Sequence, residues 1–269
     1  MTQRADGELT RIGSRDNSLL KLLRRLSSHS TAYRKLGQFW IEGDHLCQAA
    51  VDRQLVPAVV ALAESFLPDV PSGWIHLAQR TVVLPDALFD EISALQSARR
   101  VGFLINLPVS HAPRPAASSI VLDRVQDAGN VGSILRSAAA FGFRQVLALS
   151  GTAALWSPKV LRAGMGAHFA LDLFEGLDVA SALAALDTPV VCTSSHHGEL
   201  LQQQPLPWPC AWAFGHEGQG LCDELLSRCS ATVRIGQPGG EESLNVAAAA
   251  AICLHASALS QVGSGADGR

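Results

Sequence analysis

The sequence predicts an α/β protein whose larger part is a parallel sheet. From residue 118 onward, short apolar runs alternate with helical segments, and three of those runs end in glycine-rich loops. A proline-rich stretch, "PVSHAPRPAA" at 108–117, separates this part from a smaller one. Short buried strands alternating with helices need cover on both faces, which is the condition of a parallel sheet. The expected organisation is a small α/β domain over 1–107, a linker over 108–117, an α/β domain over 118–262 and a flexible tail over 263–269.

The elements follow in order. "NSLLKLLRRLSS" has the leucine spacing of a basic amphipathic helix, with Asn17 or Ser18 placed to cap it. "GQFWIEG" and "PAVVALA" predict strands, "DHLCQAAVDR" and "PDALFDEISAL" helices, and "RVGFLINL" a closing strand. After the linker the strand candidates are "SIVLDRV", "QVLALS", "FALDLF", "PVVCTSS", "CAWAFG" and "ATVRIG". Helices are expected over 131–141, 158–165, 177–186, 220–228 and 246–259. Open parallel sheets bind ligands outside the carboxyl ends of their strands, which directs attention to the loops after 123, 214 and 235.

Composition narrows the function classes. No apolar run approaches the roughly 18 residues that span a bilayer, and the N-terminal residues lack the apolar core of a signal peptide. The six cysteines are scattered and none forms a CxxC pair, so reduced, cytosolic thiols are expected rather than a zinc site or a disulfide framework. Net charge is −3, yet residues 1–40 hold eight basic side chains against three acidic ones. Arg15, Lys21, Arg24, Arg34 and Lys35 belong to that excess, which suits either a phosphate-binding surface or a solvated helix face.

The three loops carry the polar residues. In "LDRVQDAGNVGSILRSAAAFGF", Asn130 can cap a helix from 131, and Arg136 lies about 200° round that helix from Ile134, off the apolar face. An Arg there can clamp a phosphate or steer a hydroxyl, or serve as a plain surface residue. In "CAWAFGHEGQGL", Gly215, Gly218 and Gly220 bracket Glu217, a pattern of backbone brought close to a ligand or of a simple turn. In "IGQPGGEESLNVAAAAAICLHA", adjacent Glu241 and Glu242 lead to Ser243 or Asn245, either of which can cap an alanine-rich helix. "GMGAHF" lacks the third glycine of a dinucleotide fingerprint, and no phosphate-binding P-loop occurs. His196 and His197 are adjacent, without the spaced partners a metal needs, so no metal site is expected.

Taken together and in this order, "NVGSILRSAAAFG", "FGHEGQGL" and "IGQPGGEESLNVAAAAAI" resemble the SpoU (TrmH-type) branch of the SPOUT RNA methyltransferases. The N-terminal part is similar, more loosely, to the ribosomal-protein-like domain that often precedes that catalytic domain. The resemblance implies a C-terminal SPOUT domain with a deep trefoil knot, a homodimer sharing its active sites, S-adenosylmethionine as methyl donor and a ribose 2′-hydroxyl of RNA as acceptor. Ribosomal RNA is favoured over transfer RNA, and the alternative is a non-catalytic RNA-binding or ribosome-assembly protein of the same fold. By motif position Asn130 and Arg136 would face the ribose and phosphate, Arg136 helping to activate the hydroxyl. Glu217, Ser243 and Asn245 would organise the site, while Gly215, Gly220, Ile235, Leu244 and Asn245 would contact the cofactor. The chain departs from the family's usual residues at Ala128 and Gly236, where Pro is common, at Gln237, where Met is, and at Gly164, where Ser is.

Overall fold

The computed structural model describes residues 8–95, 99–109, 111–195, 197–239 and 243–264. The chain divides into two compact units, Met1–Val109 with Trp156–Phe169, and Ser110–Leu155 with Ala170–Arg269. Among the described residues no helix is long and apolar enough to cross a membrane.

The first unit runs β1 (Glu8–Arg11), α1 (Ser18–Ser28), α2 (Ala32–Leu36), β2 (Gln38–Glu42), α3 (Asp44–Asp52), β3 (Val59–Ala63), β4 (Arg80–Leu84), α4 (Asp86–Asp90) and β5 (Val101–Asn106). Its sheet has the order β1-β4-β3-β5-β2, with β1, β4 and β3 parallel and β5 antiparallel to both β3 and β2. Helix α1 forms because Asn17 Oδ1 accepts the Leu19 N–H at 2.9 Å while Leu19, Leu20, Leu23 and Leu26 share one buried stripe. Burying each such leucine contributes roughly 1.5–3 kcal/mol. Strands β1 and β4 were not anticipated. β1, "ELTR", is polar at three of its four positions, and β4 is a short run whose strand character depends on the neighbours it lies between. The helix expected over 85–95 is shorter, ending at Asp90.

The second part of the chain continues with β6 (Ser119–Leu122), α5 (Ala128–Ala140), β7 (Gln145–Leu149) and α6 (Pro158–Gly164), the last counted with the first unit. Then come β8 (Asp172–Leu177), α7 (Val179–Ala184), β9 (Val190–Thr193), β10 (Glu199–Leu200), β11 (Ala211–Phe214), α8 (Asp223–Leu226), β12 (Ala231–Arg234) and α9 (Val246–Ser264). The sheet order is β10-β12-β9-β11-β6-β7-β8, and every pairing is parallel. From β6 the chain adds strands outward on one side, then crosses back beyond β6 to lay down β9. That reversal is the topological switch where a parallel sheet opens a crevice. Helix α9 buries Ala250, Cys253, Leu254 and Ser257, an i, i+3, i+4, i+7 stripe, and Ser257 Oγ accepts the buried Trp212 Nε1–H at 2.8 Å.

Several expectations need correction. The helix expected from 131 begins at Ala128, and its cap is Asp127, whose Oδ1 accepts the Asn130 N–H at 2.7 Å. The strand expected in "FALDLF" lies further on, because residues 167–170 form a 3-10 turn and pairing with β7 begins at Asp172. The helix expected over 220–228 shrinks to α8, since Gly220 has φ +68° and belongs to the preceding loop. Two of the scattered cysteines, Cys192 and Cys229, are brought side by side, with Cα atoms 5.9 Å apart. Cys192 is on β9 and Cys229 just precedes β12, which pairs with β9, so the sheet register brings together residues 37 apart in sequence. Helix α9 extends to Ser264, while the rest of the expected tail, 265–269, lies outside the described residues.

Candidate active site

The carboxyl ends of β12, β9 and β11 lie side by side, and their loops wall a cavity of about 800 Å³. Thr193 and Ser194 come from the end of β9, Gly215 to Leu221 from the loop after β11, and Ile235 and Gln237 from the loop after β12. The start of α9 closes the remaining side with Ser243, Leu244, Asn245 and Val246. Every residue expected at a cofactor, namely Gly215, Gly220, Ile235, Leu244 and Asn245, is in this wall. So are Glu217 and Ser243.

Gly215 is required there by contact. A Cβ on it would lie 2.3 Å from Gly220 C and 2.4 Å from Leu221 N, both backbone atoms. The loop folds back on itself, with His216 N–H donating to Gly220 O at 3.0 Å and Gly220 N–H to His216 O at 2.8 Å.

A chain of side-chain hydrogen bonds joins the three loops. Asn245 Nδ2 donates to Asn130 Oδ1 at 2.9 Å, and Asn130 Nδ2 donates to Glu217 Oε1 at 3.0 Å. Glu217 also accepts the N–H groups of Asp127 at 3.3 Å and Gln126 at 3.4 Å. Partial burial works to raise the Glu217 carboxyl, but the Asn130 amide and the backbone N–H groups outweigh it and hold it below the usual range. Asn245 Oδ1 accepts the N–H groups of Ala247 at 2.9 Å and Ala248 at 3.2 Å, so one side chain both caps α9 and reaches Asn130.

Behind this chain, the buried Asp123 carboxylate at the end of β6 accepts from Cys222 N at 2.7 Å and pairs with Arg124 Nε at 2.7 Å. Arg124 Nη1 then donates to Gln219 Oε1 at 2.9 Å, fastening the first loop to the second.

Arg136 is exposed on α5 and contributes nothing to the cavity wall. Among the described residues no hydrogen bond or ion pair engages its guanidinium. In the first unit, Arg15 and Arg24 both pair with Glu91, and Lys21 pairs with Asp16 at 3.0 Å. Arg34 lies over the Tyr33 ring at 5.6 Å, and Lys35 is exposed. Glu241, Glu242 and His196 lie outside the described residues. Sequence reasoning missed Asp123, Arg124, Thr193 and Ser194; the position of "CTSS" after an apolar strand was the available signal for the last two.

Solved structures with this fold include a TrmH-family protein from Porphyromonas gingivalis, 30% identical, with a TM-score of 0.76 over 88% of this chain and 95% of that one. An RNA 2′-O ribose methyltransferase is 27% identical, with a TM-score of 0.77 over 94% of this chain and all of that one. Among curated relatives, the 23S rRNA (guanosine(2553)-2′-O)-methyltransferase RlmP of Bacillus subtilis is 28% identical over 225 residues, 82% of this chain and 88% of that one. An uncharacterized tRNA/rRNA methyltransferase of Synechocystis is 30% identical over 268 residues, 92% and 93%. Fold and site thus have the class of an α/β RNA methyltransferase. The SpoU rRNA Methylase family model matches residues 117–255, and the chain belongs to that family.

Proposed function

We propose that the protein methylates a ribose 2′-hydroxyl of ribosomal RNA, with S-adenosylmethionine as the methyl donor. The observation that carries this is the Asn245–Asn130–Glu217 hydrogen-bond chain set against a cavity walled by glycine-rich loops. The cavity fits that cofactor. Its volume is within the roughly 300–1,000 Å³ of small-molecule sites, and it combines apolar Ile235, Leu244, Leu226 and Val233 with hydroxyls of Thr193 and Ser194. Gln237, also in the wall, has a buried Oε1 with no hydrogen-bond partner among the described residues, an acceptor suited to an amino group. The N-terminal domain, residues 1–107, is proposed to bind the RNA.

When bound, the cofactor supplies a methyl group on a positively charged sulfur. The chain's own residues have to position the hydroxyl in line with that methyl and stabilise the charge that develops as its proton leaves. Asn130 is not itself in the cavity wall, but its amide is fixed from both sides by Glu217 and Asn245, which are. A guanidinium offers hydrogen-bond donors and no acceptor, so the role proposed for Arg136 is to stabilise the developing alkoxide rather than to accept a proton. Its position outside the cavity wall suits a homodimer in which Arg136 serves the site of the second subunit, a cytoplasmic enzyme shared between two chains.

The test uses recombinant protein, labelled S-adenosylmethionine and separate pools of ribosomal and transfer RNA, followed by mapping of the labelled nucleotide. Label confined to a ribose of ribosomal RNA is the expected result, and label in transfer RNA alone overturns the substrate assignment. Arg136→Lys should lose methylation while RNA binding holds; near-full activity would sink the role given to Arg136.

A further inference from the structure

His216 stands between Gly215 and Glu217 in the cavity wall, and the chemistry above leaves it without a task. Its backbone closes the 216–220 loop in both directions against Gly220. Its imidazole turns back on the same loop, Nδ1 accepting the N–H of Gly218 at 2.9 Å and of Gln219 at 3.2 Å. A ring nitrogen that accepts two N–H groups carries no proton, so the neutral ring keeps its hydrogen on Nε2. The segment holds Gly218 and Gly220, which without an internal anchor would sample many backbone conformations. Glu217, the residue that grips Asn130 and the Gln126 and Asp127 amides, lies inside the closed turn.

We propose that His216 is a positioning residue: its imidazole holds the 216–220 loop in the shape that forms the cofactor wall and aims Glu217 at Asn130. This rests on the reading of the cavity as the cofactor site. The same site shows that another side chain can make the same pattern. Asn245 Oδ1 accepts N–H groups two and three residues ahead, as His216 Nδ1 does. An Asn at 216 should therefore restore the acceptor, whereas Phe keeps a ring and removes it.

The experiment compares the full chain with H216F and H216N by calorimetric titration with S-adenosylhomocysteine, by kcat and KM for the methyl donor, and by amide exchange at Gly218 and Gln219 without ligand. H216F should weaken binding roughly 10- to 100-fold, the cost of ordering on binding a loop no longer held in shape beforehand, and raise KM more than it lowers kcat. Exchange at the two amides should speed up, with the thermal midpoint nearly unchanged. H216N should recover most of the affinity and the slow exchange. Wild-type affinity in H216F, or H216N as impaired as H216F, overturns the role of His216. Absence of S-adenosylhomocysteine binding by the wild-type chain overturns the cavity reading instead, and the proposal with it.

Discussion

Replacing Asn130 by Ala separates what the hydrogen-bond chain does for the fold from what it does for the reaction. Asn130 makes two bonds, to Glu217 at 3.0 Å and from Asn245 at 2.9 Å, and truncation deletes both. Each is worth about 0.5–1.5 kcal/mol net, so the ceiling is about 3 kcal/mol. Glu217 and Asn245 are exposed and water can replace the lost partner, which brings the expected loss of stability to about 1 kcal/mol. The reaction depends on the mutual placement of the two loops, where a displacement of about 1 Å costs about 100-fold, or 2.7 kcal/mol. The assay pairs urea unfolding with single-turnover methyl transfer at saturating cofactor. A rate loss no greater than about fivefold, the equivalent of 1 kcal/mol, would refute the argument, because the bonds would then serve the fold alone. Asn130→Asp is a sharper companion. It keeps the acceptor for Asn245 but sets a carboxylate about 3 Å from Glu217, a repulsion of about 1.4 kcal/mol in bulk water and about 5.5 at an effective dielectric near 20. Exposure places it nearer the lower figure, and the Glu217 carboxyl should rise rather than sit low as it does now.

Gly215→Ala should cost about 2–3 kcal/mol and weaken S-adenosylhomocysteine binding, since its methyl would press on backbone at Gly220 and Leu221; wild-type thermal stability would refute the contact. Asp123→Asn should cost about 2 kcal/mol in urea unfolding at pH 7, below the usual buried-pair penalty because Arg124 reaches solvent. Burial works to raise Asp123, but Arg124 and the Cys222 N–H outweigh it and hold it low. A carboxylate depressed by folding stabilises above its unfolded value and loses that contribution as pH falls through the folded one, so the gap between Asp123→Asn and wild type should narrow below about pH 4. A gap that stays constant from pH 7 to pH 3 would refute this. Glu91→Gln releases Arg15 and Arg24, so RNA binding should tighten and its salt dependence steepen by about one to two phosphates. Filter binding across a salt series that shows no change would remove α1 from the RNA surface.

The parallel sheet was legible because "VVCT", "AWAF" and "SIVL" are apolar but for one terminal Thr or Ser, without the alternation of a half-exposed strand. The cavity wall was legible because its glycines and the capping Asn245 fall where strands end. Asp127 was passed over as a cap because Asn130 has equal capping chemistry, and local sequence cannot tell them apart. The choice depends on Glu217, 87 residues away, which commits the Asn130 side chain elsewhere. The Cys192–Cys229 pair and the place of "CTSS" depend on strand order, in which β9 lies between β12 and β11. The buried clasp of Asp123 on Cys222 was hidden for the same reason, since it spans 99 residues.

The bond between Asn130 and Asn245 crosses 115 residues of chain. At synthesis rates of about 5–20 residues per second, roughly 6 to 23 s separate the emergence of its two ends from the ribosome. During that interval the first loop exists without its partners, and no cofactor wall is available to it. The polypeptide therefore gains the means to modify RNA only once Asn245 has been made, and a chain truncated before that residue should carry every strand of the sheet yet transfer no methyl group.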